Sequence, residues 1–204
     1  MEKAIFVILT HTNTSMGGLS RLFSKGYYNH ASIAFTDSLS KMYSFSRYYV
    51  NTPLAGGFVV ERPERYLSSE EPTPMKLYML PADNGDYNAI RRKLRTFIDT
   101  KDKKIYNTYG DWASSFGKKK KIKDAYTSVE FISELLDIKD VNTVGELEKV
   151  LEHYRVYTGT MEKYLHGEYE CDTEYYERQS LGKVIYGTAS HYAKLTKRAL
   201  FDKR

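Results

Sequence analysis

A histidine and a serine, far apart in the chain, are the residue types from which a two-residue acyl-transfer site is built. His30 stands in Asn29-His30-Ala31-Ser32-Ile33-Ala34-Phe35, at the head of an apolar run that reads as a strand. Ser128 stands in Tyr126-Thr127-Ser128-Val129-Glu130-Phe131-Ile132-Ser133-Glu134-Leu135-Leu136. Apolar residues at Phe131, Ile132, Leu135 and Leu136 have helical spacing, so Ser128 falls where a helix would begin. Glu130 lies in its first turn, where negative charge is favoured. A hydroxyl at a helix N-terminus sits in a field that favours developing negative charge, and a histidine on a neighbouring strand could take its proton. Each residue also has a plainer meaning. Ser128 can be an N-cap, and His30 a structural histidine. Spacing along the chain does not decide between these meanings.

The elements that must bring the two together can be read in order. Ala4 to Thr10 is a continuous apolar run, expected as a central strand rather than a signal peptide. After Gly17-Gly18, Leu19, Leu22 and Phe23 predict a short helix stopped by Gly26. Ala31 to Phe35 and Met42 to Ser46 read as a hairpin across the turn Asp37-Ser38-Leu39-Ser40. Phe58 to Glu61 is a fourth strand, Glu64 to Leu67 a helical turn, and Lys76 to Leu80 a fifth strand stopped by Pro81. Ile90, Leu94 and Ile98 predict a helix over 87–98 with a basic outer face. The helix from Ser128 is followed by another over 143–151, with Val144, Leu147, Val150 and Leu151 inward. A late strand at 154–157 and the segment Met161 to Leu165 close the compact part. Beyond it, Leu181, Val184, Ile185, Tyr192, Leu195 and Leu200 approximate one helical stripe, loaded with lysine and arginine. That helix is expected to dock on the core or on a partner, with an anionic membrane surface as the alternative.

Composition narrows the function classes. The 204 residues suffice for one good core, and 41% hydrophobic with 28% charged residues is ordinary for a soluble globular protein. The 19 tyrosines suit half-wet surfaces and grooves. A net charge of +5 permits anionic partners without demanding them. A single cysteine, Cys171, rules out a disulfide framework within the chain and fits a reducing, cytoplasmic setting. Its neighbours Glu170 and Asp172 disfavour a thiolate. None of the histidines (His11, His30, His153, His166, His191) is paired at metal-ligand spacing, so no metal or cofactor is expected. The double glycines at 17–18 and 56–57 lack a phosphate-cradling pattern, and Lys118 to Lys121 reads as a solvated loop tip. No nucleic-acid module is visible, and no nucleic-acid partner is expected.

Several short stretches together resemble a known family. These are Ile8-Leu9-Thr10-His11-Thr12, Asn29 to Ala34, Met42-Tyr43-Ser44-Phe45, Gly56-Gly57-Phe58-Val59, Ile105-Tyr106-Asn107 and Tyr126 to Ile132. They resemble the permuted NlpC/P60 superfamily, papain-like hydrolases of the YiiX/YebB-like type, in which the histidine strand precedes the cysteine helix. The resemblance spans about residue 4 to residue 165. It implies an α+β fold with an antiparallel sheet packed by helices and a hydrolase domain over 1–165; the rest, 166–204, lies outside the resemblance and is expected as a C-terminal helical extension. It implies amide or ester hydrolysis by acyl transfer on a peptide, amide or lipid substrate. His30 matches the family's histidine. Ser128 matches the family's cysteine and departs from it. A serine there is a native serine nucleophile, the mark of a silent relative, or a Cys→Ser substitution. A hydroxyl is scarcely ionised by a histidine that would ionise a thiol, so weak or no activity is expected of the chain as it stands. For the third polar residue the resemblance points to a strand after the histidine strand, where Glu61 is the first candidate and Ser44 the second. Tyr106, Tyr126 and Ser44 are the expected substrate contacts. A catalytically dead binding protein using the same cleft, and a lipid acyltransferase or phospholipase-like enzyme, are the competing expectations. Membrane-surface or protein contact through 181–204 accompanies the last of these.

Overall fold

A computed structural model describes residues 3–12, 27–52, 54–67, 71–115, 121–166 and 173–201. The expected helix over Leu19–Phe23, the double glycine at 17–18, Pro53, Lys118 to Lys120, Cys171 and the last residues Lys203 and Arg204 lie outside them.

The chain forms an α+β fold around one eight-stranded sheet. Its strands are β1 (Lys3–Thr10), β2 (His30–Ala34), β3 (Met42–Arg47), β4 (Gly56–Glu61), β5 (Pro74–Ala82), β6 (Ile105–Tyr106), β7 (Ala125–Tyr126) and β8 (Arg155–Thr160). They lie in the order β7-β6-β4-β3-β2-β1-β5-β8. Neighbours are antiparallel except β6 and β7, so the sheet is mixed rather than purely antiparallel. The helices are α1 (Glu64–Leu67), α2 (Asn84–Asp99), α3 (Thr108–Ser115), α4 (Ser128–Leu136), α5 (Val144–Leu151), α6 (Met161–Leu165), α7 (Thr173–Tyr176) and α8 (Leu181–Phe201).

Strand alternation gives the sheet two faces. On the first, Ile5, Val7, Leu9, Ala31, Ile33, Phe45 and Phe58 pack against α2, α4 and α5 through Leu94, Phe97, Val129, Phe131, Ile132, Leu135 and Leu147. The centre of this core is aromatic. Phe131 stands 5.4 Å from Phe45, 5.7 Å from Phe58 and 5.0 Å from Phe97, ring centre to ring centre. On the second face, Phe6, Ile8, Ala34, Met42, Met75 and Leu77 pack against Tyr66 of α1 and Met161 of α6. α8 is held at the β6–β7 edge. Leu195 packs with Ile105, Ile122 and Ala125, and Arg198 donates to the carbonyls of Asp124 (2.8 Å) and Lys103 (2.9 Å).

Several sequence expectations shift by a register. β5 does not stop at Pro81 but runs on to Ala82. Pro81 pairs with Ala4 on β1, while β8 covers only Pro74 to Tyr78, so the side without an N–H meets no strand. In α2 the buried residues are Leu94 and Phe97, and Ile98 is exposed. In α5 Leu147 and Leu151 are buried while Val150 is exposed. In α8 only His191 and Leu195 are buried; Leu181, Ile185 and Leu200 are exposed. Each helix was expected to hide a wider stripe than its single contact surface covers.

Candidate functional site

Ser128 is the first residue of α4, and its neighbour Thr127 is the cap. The Thr127 hydroxyl accepts from Glu130 N at 3.1 Å, and the Glu130 carboxylate accepts from Thr127 N at 2.9 Å. This reciprocal capping box satisfies two end-of-helix donors and leaves the Ser128 side chain free of that duty. The N-cap meaning of Ser128 is therefore corrected by one residue. Asn107, fully buried, ties the same helix start to β6. It donates to Glu130 Oε2 at 3.2 Å, accepts from Gly110 N at 2.8 Å, and its own N–H donates to Tyr126 O at 2.9 Å.

Sheet register fixes which end of the sheet this helix starts from. β2 runs antiparallel to β3, so His30 begins β2 at the end where β3 finishes with Arg47 and β4 begins with Gly56. β6 runs antiparallel to β4, through Gly57↔Ile105, and β7 runs parallel to β6. The chain thus leaves β7 at Tyr126 and enters α4 at the end of the sheet where β2 starts. β2 and β3 pair only at Ile33↔Tyr43 and Ala34↔Met42, so the His30 half of β2 has no ladder partner on its β3 side.

His30 and Glu61 are brought together. The His30 ring donates from Nε2 to Glu61 Oε1 at 3.1 Å and Oε2 at 3.2 Å. They come from strands two apart in the sheet and meet on its second face, which also carries the small residues Ser32 and Ser44. Glu61 is wholly buried. The Tyr66 hydroxyl donates to Glu61 Oε2 at 2.7 Å, and Arg65 NH1 lies 3.7 Å from Oε1. Burial alone would push the Glu61 carboxyl up. The charges of His30 and Arg65 and the hydrogen bonds from His30 and Tyr66 overcome it and hold the group down at about 2. Burial, with the Glu61 charge, drives the Tyr66 phenol the other way, so Tyr66 stays a donor. An ionised carboxylate only accepts, so Nε2 carries a proton and donates it to Glu61.

The other expected residues take different places. Among the described residues neither His30 nor Glu61 hydrogen-bonds Ser128. The His30 side chain belongs to the second face, while α4 covers the first. The two approach from the same end of the sheet and from opposite sides of it. Ser44 is buried on the second face, and among the described residues its hydroxyl has no hydrogen-bond partner, as is also true of Thr10 and Ser32. His30 is thus bonded to Glu61 and not to Ser44. Tyr126 is buried in the aromatic core, 5.1 Å from Phe45 and from Phe97, and its hydroxyl donates to Glu134 at 3.3 Å. That is a core position rather than a cleft wall. Tyr106 is half-buried, and its carbonyl accepts from His191 Nε2 at 3.0 Å.

Sequence reading missed Arg65, Tyr66 and Asn107. The spacing Glu61–Arg65 is that of an ion pair along one helical turn, and it was the available signal. Among the described residues no group of three His, Cys, Asp or Glu side chains is placed to hold a metal ion, and no helix is long and apolar enough to cross a membrane. Comparison with known proteins finds no matching family model, no matching curated protein and no matching solved structure.

Proposed function

We propose that this chain is a papain-like acyl-transfer fold, with His30 as general base, Glu61 as the group that orients it and Ser128 in the nucleophile seat. The observation that carries the reading is the His30–Glu61 pair. A buried, ionised carboxylate bound to Nε2 holds the ring in one orientation and leaves Nδ1 as the nitrogen available to a nucleophile. α4, whose first residue is the buried Ser128, starts from the end of the sheet where β2 begins, although it covers the face opposite His30.

In the reaction, Nδ1 takes the proton of the nucleophile as its oxygen or sulfur attacks the carbonyl carbon of an amide or ester. The carbonyl oxygen gains charge and is met by N–H groups at the start of α4. Collapse expels the amine or alcohol, which takes the proton back from the imidazole. Water then hydrolyses the acyl intermediate by the same route. The reading requires the side chains of Ser128 and His30 to meet around the open end of β2. With serine in the seat, turnover is expected to be slow, because the hydroxyl is a far weaker acid than a thiol.

The test is Ser128→Cys in a Cys171→Ser background, challenged with a thiol-directed acyl probe. Covalent labelling of residue 128 that His30→Ala abolishes supports the reading. No labelling, or labelling indifferent to His30→Ala, sinks it and leaves a cleft that binds peptide, glycan or lipid without chemistry.

A lipid substrate is the second reading, favoured by α8. Leu181, Ile185, Tyr186, Leu200 and Phe201 stand exposed there, the described helix carries no acidic residue, and Lys183, Lys194 and Lys197 are exposed beside them. An anionic vesicle would be held by such a face. Failure to sediment with phosphatidylserine vesicles at low salt removes this reading and leaves the peptide or amide one.

A further inference from the structure

The segment after the hydrolase body reaches into the network beneath Glu61. α7 sets Tyr175 in a buried position, with its ring 3.8 Å from the Arg65 guanidinium carbon. The segment is pinned there by several bonds. Val50 N donates to the Tyr175 carbonyl at 2.9 Å, Arg47 donates to the Tyr175 hydroxyl, and the Tyr176 hydroxyl donates to the Arg65 carbonyl at 3.0 Å. Asn51 Nδ2 donates to the Gln179 carbonyl at 2.8 Å, and Gln179 N donates back to Asn51 Oδ1 at 3.1 Å.

Arg65 therefore has a ring against its flat face and acceptors along its edge. NH2 donates to Ser46 Oγ at 2.8 Å and Arg47 O at 3.1 Å, and NH1 faces Glu61. A second guanidinium, Arg47, lies 5.6 Å from the same ring. Two like charges near one another in a dry site repel. The electron-rich face of the tyrosine offsets that repulsion and keeps Arg65 from turning outward to water. A chain of contacts then runs from Tyr175 to Arg65, from Arg65 to Glu61, and from Glu61 to the His30 ring.

We propose that Tyr175 is a positioning residue for the site, holding the Arg65 guanidinium against Glu61 and thereby fixing the carboxylate that orients His30. Its bearing on catalysis rests on the acyl-transfer reading; its bearing on the His30 ring does not. A merely structural Tyr175 would cement the 173–180 segment and cost stability without touching His30.

The test uses the full chain labelled with ¹⁵N and reads water exchange of the His30 Nε2–H by NMR. Tyr175→Leu is expected to speed that exchange about tenfold, the ratio that ~1.4 kcal/mol carries, between the exposed and desolvated values of a cation–π contact. Tyr175→Phe keeps the ring over Arg65 and is expected to stay near wild type. Tyr109→Leu, a tyrosine lost from the α8 contact rather than from the cluster around Tyr66, serves as the stability control. The proposal is overturned when Tyr175→Leu exchanges no faster than Tyr109→Leu, or when the Phe and Leu variants behave alike. Arg65→Lys is the second route, should Tyr175→Leu not fold. It keeps the charge but loses the flat face, and unchanged exchange there also overturns the proposal. Loss of probe labelling at residue 128 with the His30 effect intact would sink acyl transfer alone. Labelling with an unmoved His30 signal would sink the positioning role alone.

Discussion

The two faces of the sheet are held by different physics. The first is a dry aromatic and aliphatic core, where Phe45, Phe58, Phe97, Tyr126 and Phe131 interlock and α4 is held chiefly by apolar packing. The second begins as an apolar core near Met42 and Leu77 but ends in polar pairs: Glu61 and Arg65 buried together with Tyr66, and half-buried His30 bound to Glu61. An apolar face tolerates local change in proportion to the volume removed. A face of paired charges does not, because removing one partner strands the other in a low-dielectric setting. The rigidity that fixes a histidine tautomer sits on the second face, and the helix that would present a nucleophile sits on the first. The acyl-transfer reading therefore requires the two to meet around the end of the sheet where β2 starts and its ladder to β3 is missing.

Substitutions should separate the two faces, and the largest effect is expected on the first. Phe131→Ala, emptying the centre of the aromatic core, should cost about 4 kcal/mol in urea unfolding. A loss below about 1 kcal/mol would mean that α4 is not held as described. Glu61→Gln removes the charge between His30 and Arg65 at little change of shape. It should cost about 3 kcal/mol, chiefly through the stranded arginine, and Glu61→Gln with Arg65→Met should recover part of it in a double-mutant cycle.

The second face should also be the acid-sensitive one. Glu61 has a lowered pKa in the fold, so its contribution is present above the ordinary carboxylate range and is lost as pH falls toward about 2. The loss should be on the order of 3 kcal/mol between about pH 4.5 and pH 2. In Glu61→Gln that part of the acid limb should be absent from a pH series of melting temperatures. Thr127→Ala removes half of the capping box at the start of α4 and should cost about 1 kcal/mol. Ser44→Ala removes a buried hydroxyl with no partner among the described residues and should be neutral or stabilising by up to about 1 kcal/mol. A destabilising Ser44→Ala would show that the hydroxyl has a partner such as a buried water.

The legible parts of this fold were those with a period. β1 was readable as a central strand because it is buried on both sides, and the Ser128 helix because Phe131, Ile132 and Leu135 recur at helical spacing. His30 and Glu61 were readable as residue types at the ends of strands. Their contact was not, because it depends on two strands meeting across a third. Tyr126 was misplaced for a related reason. A tyrosine beside a candidate nucleophile suggests a cleft, yet strand alternation at β7 turns it into the aromatic core. Arg65 and Tyr175 are separated by most of the chain, and only the fold reveals that one covers the other.

The central claim is that a nucleophile at residue 128 is activated by the His30–Glu61 pair. The direct measurement is the pH dependence of alkylation by iodoacetamide for Ser128→Cys in the Cys171→Ser background, with and without His30→Ala. An ordinary thiol ionises near pH 8.5, whereas a thiol paired with histidine ionises well below it. The account predicts alkylation that persists below pH 7 and collapses to the ordinary profile in His30→Ala. A thiol that titrates near 8.5 in both proteins would contradict it.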